Sequence, residues 1–507
     1  MLRYLVPLVL AAASAYAAAL ARPNVLLICV DDLKPAMSCY GDKIAKTPHF
    51  DRLAARGMRF DAAYCNQAVC APSRNNLMLG SRSTSLGIYN LTTNFRAVVP
   101  NAVTLTQYFM RHGYRTEGMG KILHVGHGNT NDEASWSVPF LKEKLVEYVV
   151  PESTGGKLTR EEALFTNASS GPVGEYPRGA AWESPDVPDN AYGDGRLAEE
   201  AIKRLRAAKQ KPEQPLFLAV GFARPHMPFC VPKKYWDLYD PAKLPLAKDQ
   251  RPPEGAPAFA GKGMIELMNY DPLPNQPPLA EDLQRKMLHG YYASMSYADA
   301  QLGKILDELD TQGLAEKTLI VLWGDHGWHL GDHGWWSKHT NYEQATRIPI
   351  VVVAPGVAKP GSHSSALVET VDIYPTLCEL AGLPAPKDVP QPMDGRSFAA
   401  VLRDPKAAGD DHIYHVYPRN RGAGANGGEW MGRAIRTARY RLVEWKKIGA
   451  APETAELELY DYVADAGETK NLASTQPKAV AEMRAILGKY PEAKAPMTGV
   501  AAKKKKG

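Results

Sequence analysis

Residues 24–30 read NVLLICV and run straight into Asp31-Asp32. A short, unbroken apolar run that includes β-branched Val25, Ile28 and Val30 predicts a strand buried on both faces, as in the middle of a parallel sheet. The same pattern recurs farther along the chain. Residues 215–221 (PLFLAVG), 318–323 (TLIVLW, closed by Gly324-Asp325-His326) and 348–354 (IPIVVVA) each read as a buried strand. Helical stretches lie between them. Thr47-Pro48 opens one, with Thr47 as N-cap and Pro48 in the first turn, ending near Gly57. Residues 104–112 form another, closed by Gly113 and followed by a strand toward Met119, and residues 283–309 form a long third. Strands alternating with helices predict an α/β fold, a large and mainly parallel sheet sandwiched by helices.

Two stretches interrupt this pattern. Residues 138–195 are rich in Pro, Gly and Glu, and residues 244–278 are rich in Pro. Both read as long surface excursions from the α/β body. Near residues 404–411 the composition shifts to shorter alternating segments such as 440–445 and 456–462. The expected layout is a catalytic α/β domain over 22–405 and a small C-terminal α+β domain over 406–507. At the other end, Arg3, an apolar run over 5–13 and small residues at Ala17, Ala19 and Ala21 predict a secretory signal over 1–21, cleaved after Ala17 or Ala21. A membrane anchor competes with that reading, but half of the stretch is alanine and one basic residue precedes it. No later segment is long and apolar enough to span a bilayer, so an exported protein is expected.

The 507 residues are 45% hydrophobic and 23% charged, a globular composition too long for one ordinary core. Lys503 to Lys506 supply four of the formal +5 charges, leaving +1 on the rest of the chain. No basic body points to nucleic acid, and the lysine run reads as a solvated tail. Six cysteines at 29, 39, 65, 70, 230 and 378 are too sparse for a disulfide scaffold and show no paired CxxC spacing for structural zinc.

In such a sheet, ligands gather beyond the carboxyl ends of the strands. Asp31 and Asp32 follow one strand, Asp325 and His326 another. Each pair alone reads more readily as a turn or helix cap than as a metal site. Converging, three carboxylates and an imidazole suit a divalent cation: oxygen-rich sites favour Ca²⁺, while nitrogen also suits transition metals. The specific signal is Cys70-Ala71-Pro72-Ser73-Arg74, within QAVCAPSRNNLMLG, although a small buried cysteine before a Pro-started helix would also fit.

That pentapeptide matches the C-x-P-S-R signature of sulfatases. The chain resembles type I sulfatases of the alkaline phosphatase-like superfamily over nearly its whole mature length. RPNVLLICVDD, TPHFDRLAARGMRF, CAPSR, GKILH, ARPHMP, LWGDHG and ELYDYVADAGETKNLA stand in the family's order. Closest is the iduronate-2-sulfatase-like branch, through QAVCAPSR, YYASMSYADAQLGKIL, DHGWHLGDHGWWSKHTNYEQATRIP and MGRAIRTARYR. His326 after Asp325 is a mark of that branch, since common sulfatases carry Asn there. The Gly-rich run 422–428 departs from it.

The resemblance implies that Cys70 is oxidised to formylglycine by a separate maturation enzyme, and that its hydrate attacks the sulfur of a sulfated saccharide. It implies one divalent ion, Ca²⁺, held by Asp31, Asp32, Cys70, Asp325 and His326. It gives Lys121, Lys338 and Arg74 to the sulfate and to orienting residue 70. It makes His124 the base for sulfate release and His226 the group at the bridging oxygen, protonating the leaving alcohol together with Lys338. His112, His127, His329, His333 and His339 receive no role. Trp328, Trp335 and Trp336 read equally as core or as sugar-stacking faces. Tyr417-Pro418-Arg419 resembles a segment that reaches the pocket in that branch. A phosphodiesterase or phosphonate hydrolase on the same fold and a non-catalytic sulfated-glycan binding protein are the competing functions.

Overall fold

The computed structural model describes residues 22–169, 173–261, 266–274, 278–419 and 430–497. The expected 1–21 signal, the 422–428 run and the terminal lysines lie outside the described residues. The main sheet contains Asn24–Val30 (β1), Met58–Tyr64 (β2), Arg115–Gly120 (β3), Leu216–Phe222 (β4), Thr318–Gly324 (β5), Arg347–Val353 (β6) and Ser362–Glu369 (β7). Their order is β7-β2-β6-β5-β1-β4-β3. All run in one direction except β6, which is antiparallel to both neighbours. Its IPIVVVA run gives no hint of that reversal, because a strand buried on both faces looks the same in either direction. The sequence reading omitted β2 and β7. Both carry polar residues on partly exposed positions, Arg59 and Asp61 in one, His363 and Ser362 in the other.

The central strand β1 feeds both layers. Leu26, Ile28 and Val30 join one apolar cluster, while Val25, Leu27 and Cys29 join the other. The first cluster is covered by Pro48–Arg56 (α1), Gly193–Lys209 (α5) and the long Glu281–Thr311 (α6). The second is covered by Cys70–Leu79 (α2) and Leu105–Arg111 (α3). A short helix between them in sequence, Arg160–Phe165 (α4), belongs to the first excursion. Thr104 caps α3 through a reciprocal box with Gln107. Thr47 does not cap α1: its hydroxyl bonds Ser38 instead, at 2.7 Å.

A second, four-stranded antiparallel sheet follows, made of His412–Arg419 (β8), Trp430–Thr437 (β9), Tyr440–Lys447 (β10) and Glu456–Asp461 (β11) in sequential order. Pro477–Leu487 (α7) packs on it through Val480, Met483 and Leu487. Arg441 ties this sheet to the main body by reaching Glu343 at 2.8 Å. All six cysteines are free.

Candidate active site

Strand register builds the site. Val30 pairs with Gly324 on one side and Phe222 on the other, and Gly221 pairs with Gly120. The parallel strands β5, β1, β4 and β3 therefore end nearly in line, and the residues after each land beside one another. Asp31-Asp32 follow β1 and Asp325-His326 follow β5. His226 comes four residues after β4, and Lys121 and His124 follow β3. The Asp325 N–H donates to the Val30 carbonyl, and the Asp32 N–H to Asp325 Oδ1 at 3.0 Å. The chain after β3 crosses so closely over β4 that a Cβ on Gly221 would lie 2.2 Å from the Lys121 carbonyl oxygen. Only glycine permits that pass.

Helix α2 enters from the other side, with all ten of its residues buried. Cys70 is its first residue, and its Sγ lies 3.2 Å from His326 Nε2. Arg74, one turn later on the same face, is fully buried. Its Nε donates to Asp325 Oδ2 at 3.0 Å, one terminal nitrogen donates to Asp31 Oδ1 at 3.2 Å, and the other reaches the carbonyls of Lys121 and Ile122. Ser73 adds a hydroxyl bond to the Asp325 carbonyl.

The acids differ in their electrostatics. Burial and the charge of Asp31 push Asp325 up to about 7. Burial also drives Asp32 well above the carboxylate range, against the pull of Lys338 and with help from Asp31 and Glu266. Asp31 falls well below that range, because Lys121, His226 and Arg74 together outweigh its burial. His326 is kept neutral by burial and by Lys338. Its Nδ1 faces the Gly327 carbonyl at 3.0 Å, which assigns the proton there and leaves the Nε2 lone pair facing Asp32 and Asp325 at 3.5 and 3.6 Å. Burial and Asp31 push the Cys70 thiol well up, so the unmodified residue is a protonated thiol and a poor nucleophile.

Three cations ring these acids. Besides Arg74, Lys121 pairs with Asp31, and Lys338 Nζ lies 3.0 Å from Asp32 and 2.7 Å from Glu266. His226 Nδ1 contacts the Met227 carbonyl at 2.5 Å, and its Nε2 stands 3.1 Å from Glu266. Asp194 of α5 anchors that turn by accepting the N–H groups of Ala223 and Arg224. Phe165 of α4 is the hub of the remaining contacts. Lys121 Nζ lies 4.9 Å from its ring centroid, and His226 and His124 pack on it at 5.6 and 5.7 Å.

A sulfatase family model matches residues 23–383, and one described as N-sulphoglucosamine sulphohydrolase, C-terminal, matches 331–490. Iduronate 2-sulfatase of Mus musculus is 34% identical over 83% of this chain and 84% of its own. The chain belongs to the sulfatase family. It is a sulfuric ester hydrolase, and sulfatases generally work with formylglycine and a divalent metal. Among solved structures, one described as in complex with its substrate D-glucosamine-2-N,6-O-disulfate superposes with a TM-score of 0.71 at 21% identity, covering 92% of this chain and 97% of that one. The phosphonate monoester hydrolase of Agrobacterium radiobacter gives 0.68 at 22%, covering 92% and 94%. The fold therefore serves more than one ester chemistry.

In this sulfatase the ten positions singled out from sequence form one connected cluster, with His124 reached through Phe165. Ligand atoms of Asp31, Cys70, Asp325 and His326 lie within 4.8 Å of one another, as do those of Asp31, Asp32, Cys70 and His226. Arg74, Lys121 and Lys338 already pair the three carboxylates, so repulsion alone does not call for an ion; the convergence of carboxylate oxygens with a neutral imidazole nitrogen is the donor set that fits a divalent ion. The tryptophans resolve toward core: Trp328 and Trp336 are each 1% exposed and Trp335 is buried. Lys338 does lie over the Trp328 ring, at 4.9 Å. His339 turns away to the Tyr417 hydroxyl, and Arg419 is spent on the carbonyls of Phe259, Ala260 and His339. Sequence reasoning missed Glu266, Phe165 and Asp194. The first two lie in aperiodic excursions and the third in an ordinary helix, so no motif marks them.

Proposed function

We propose that this sulfatase is exported and removes O-sulfate from a glycan, as its iduronate 2-sulfatase relatives are named for doing. We infer that Cys70 is converted to formylglycine by a maturation enzyme and that a divalent ion, Ca²⁺, is held by Asp31, Asp32, Asp325, His326 and residue 70. The observation that carries this reading is the buried donor cluster around Cys70, flanked by three fixed cations. Bound there, the ion supplies Lewis acidity and the formylglycine an oxygen nucleophile.

The chain's own groups do the rest. Arg74 fixes Asp31 and Asp325, and through them the position of residue 70. Lys121 and Lys338 face the peripheral oxygens of the sulfate, where charge must be neutralised. Asp325, with a pKa near neutrality, takes a proton beside residue 70. His226 is held neutral by burial and by the two lysines. A bound sulfate offsets those lysines, so the ring gains its proton where the leaving alcohol needs one. His124 Nδ1, buried without a hydrogen-bond partner, is the free base for sulfate release. The test is a desulfation screen of the matured protein over defined sulfated saccharides, with phosphonate and phosphate esters run alongside. Release of sulfate from 2-O-sulfated uronates supports the reading. Turnover confined to the phosphorus esters overturns it.

A further inference from the structure

His127 received no role from the sequence, yet its setting is unusual. Its φ of +54° lies in the left-handed region, which disfavours residues with a Cβ by about 1–2 kcal/mol. Such strain clusters at functional positions. The turn is pinned on both sides: the His127 N–H donates to the Leu164 carbonyl at 3.0 Å, and Gly126 and Asn129 bond each other. Asn167 accepts from the Gly128 N–H and donates to the Asn129 carbonyl, at 2.8 Å each. This brings His127 Nδ1 to 3.1 Å from His124 Nε2, with both rings packed on Phe165. His124 is 5% exposed, whereas His127 is partly open to solvent. Thus one nitrogen of His124 meets His127, and the other is buried and free.

We propose that His124 and His127 form a two-imidazole wire that carries the catalytic proton from the buried site to water, with His127 as a positioning and relay residue. The wire rests on the reading of His124 as the base for sulfate release. His124 Nδ1 takes a proton from the reacting hydroxyl while its Nε2–H passes to His127 Nδ1, and the His127 Nε2–H passes to water. The pair starts with both protons on Nε2 and ends with both on Nδ1; once sulfate has left, water entering the emptied site takes the His124 Nδ1 proton while the His127 Nδ1–H returns to His124 Nε2 and outside water reprotonates His127 Nε2. Neither ring stores the proton, because burial holds His124 well below its ordinary pKa and His127 at about 4.

Two measurements test this. In ¹⁵N-histidine-labelled protein carrying unmodified Cys70, NMR should show coupling across a hydrogen bond between His124 Nε2 and His127 Nδ1. Its absence overturns the wire, whatever any variant does. His127→Asn suits the left-handed backbone and still accepts from His124 but cannot relay. In the matured enzyme it should lower kcat ~10-fold or more with KM unchanged, less than the ~10²–10⁴-fold of losing the base itself. Free imidazole should restore that rate and leave the parent unaffected. An unchanged kcat, or a loss that imidazole does not repair, overturns the wire alone if His124→Ala is slow. Full activity in His124→Ala removes the base and the wire with it.

Discussion

Replacing Arg74 by Met removes the one guanidinium that bridges Asp31 and Asp325, both fully buried, as Arg74 is itself. Lys121 still pairs with Asp31 and Lys338 with Asp32, so the uncompensated charge falls on Asp325. Removing one partner of a buried ion pair costs about 3–5 kcal/mol, with no solvent to soften it. Asp325 already sits at about 7 and offsets part of that by keeping its proton, so the loss in chelator should be near the lower end at neutral pH and smaller at pH ~5. A divalent ion replaces the missing charge. At a hundred times its Kd it returns about 2.7 kcal/mol, and it should bind the variant more tightly than the parent. Denaturation of parent and variant, with and without chelator at two pH values, reads all of this. A variant as stable as the parent in chelator, or one that loses more at low pH than at high, refutes the reasoning. Arg74→Lys should recover little, because one ammonium cannot reach both carboxylates and two carbonyls.

Other outcomes follow from the same geometry. In chelator, the stability of the parent relative to Asp325→Asn should fall as the pH rises from about 4 to about 7, because Asp325 holds its proton more tightly folded than unfolded, while the buried histidines, which act the other way, cancel in that difference. Adding the ion should flatten that slope, and a flat profile in chelator would contradict the assignment. Mass spectrometry of protein made beside a maturation enzyme should find formylglycine at position 70, while full turnover by the unmodified thiol would sink the idea. His124→Ala should retain labelled sulfate on the protein after one early turnover, and His226→Ala should not. The His226→Ala penalty should shrink on aryl sulfates, whose leaving groups need no proton; equal losses on alkyl and aryl substrates would defeat that division of labour.

The legible parts of this fold are those where one residue's environment is set by its neighbours in sequence. NVLLICV is apolar at every position after Asn24 because β1 is buried on both faces, and the residue after such a strand is bound to reach the ligand edge. CAPSR was legible because the first residue of a helix and the residue one turn later must present two particular side chains to one point. Glu266 was not legible. It reaches Lys338 and His226 from a proline-rich excursion whose path is set by tertiary packing. The direction of β6 and the burial of Trp335 were hidden for the same reason, since sheet order and side-chain partners are long-range facts. His127 is a middle case: a histidine between two glycines marks a turn, but nothing local says that the turn aims its ring at His124.

Charge explains why the donors come from so many elements. Asp31, Asp32, Asp325 and Glu266 bring four formal negative charges, and Arg74, Lys121 and Lys338 bring three positive ones. Under the proposed reading a divalent ion turns that deficit into one net positive charge, and an ionised sulfate monoester carries one negative charge. The loaded site is then close to neutral, which a buried volume requires. While His226 is neutral, a dianionic phosphate monoester would overshoot, whereas a phosphonate monoester, with a single negative charge, would not. Under that reading, charge balance in this site favours a monoanionic ester over a dianionic one. Under the proposed reading, discrimination among such esters would come from the leaving-group side, where His226 and its neighbours Glu266 and Phe165 would meet the alcohol.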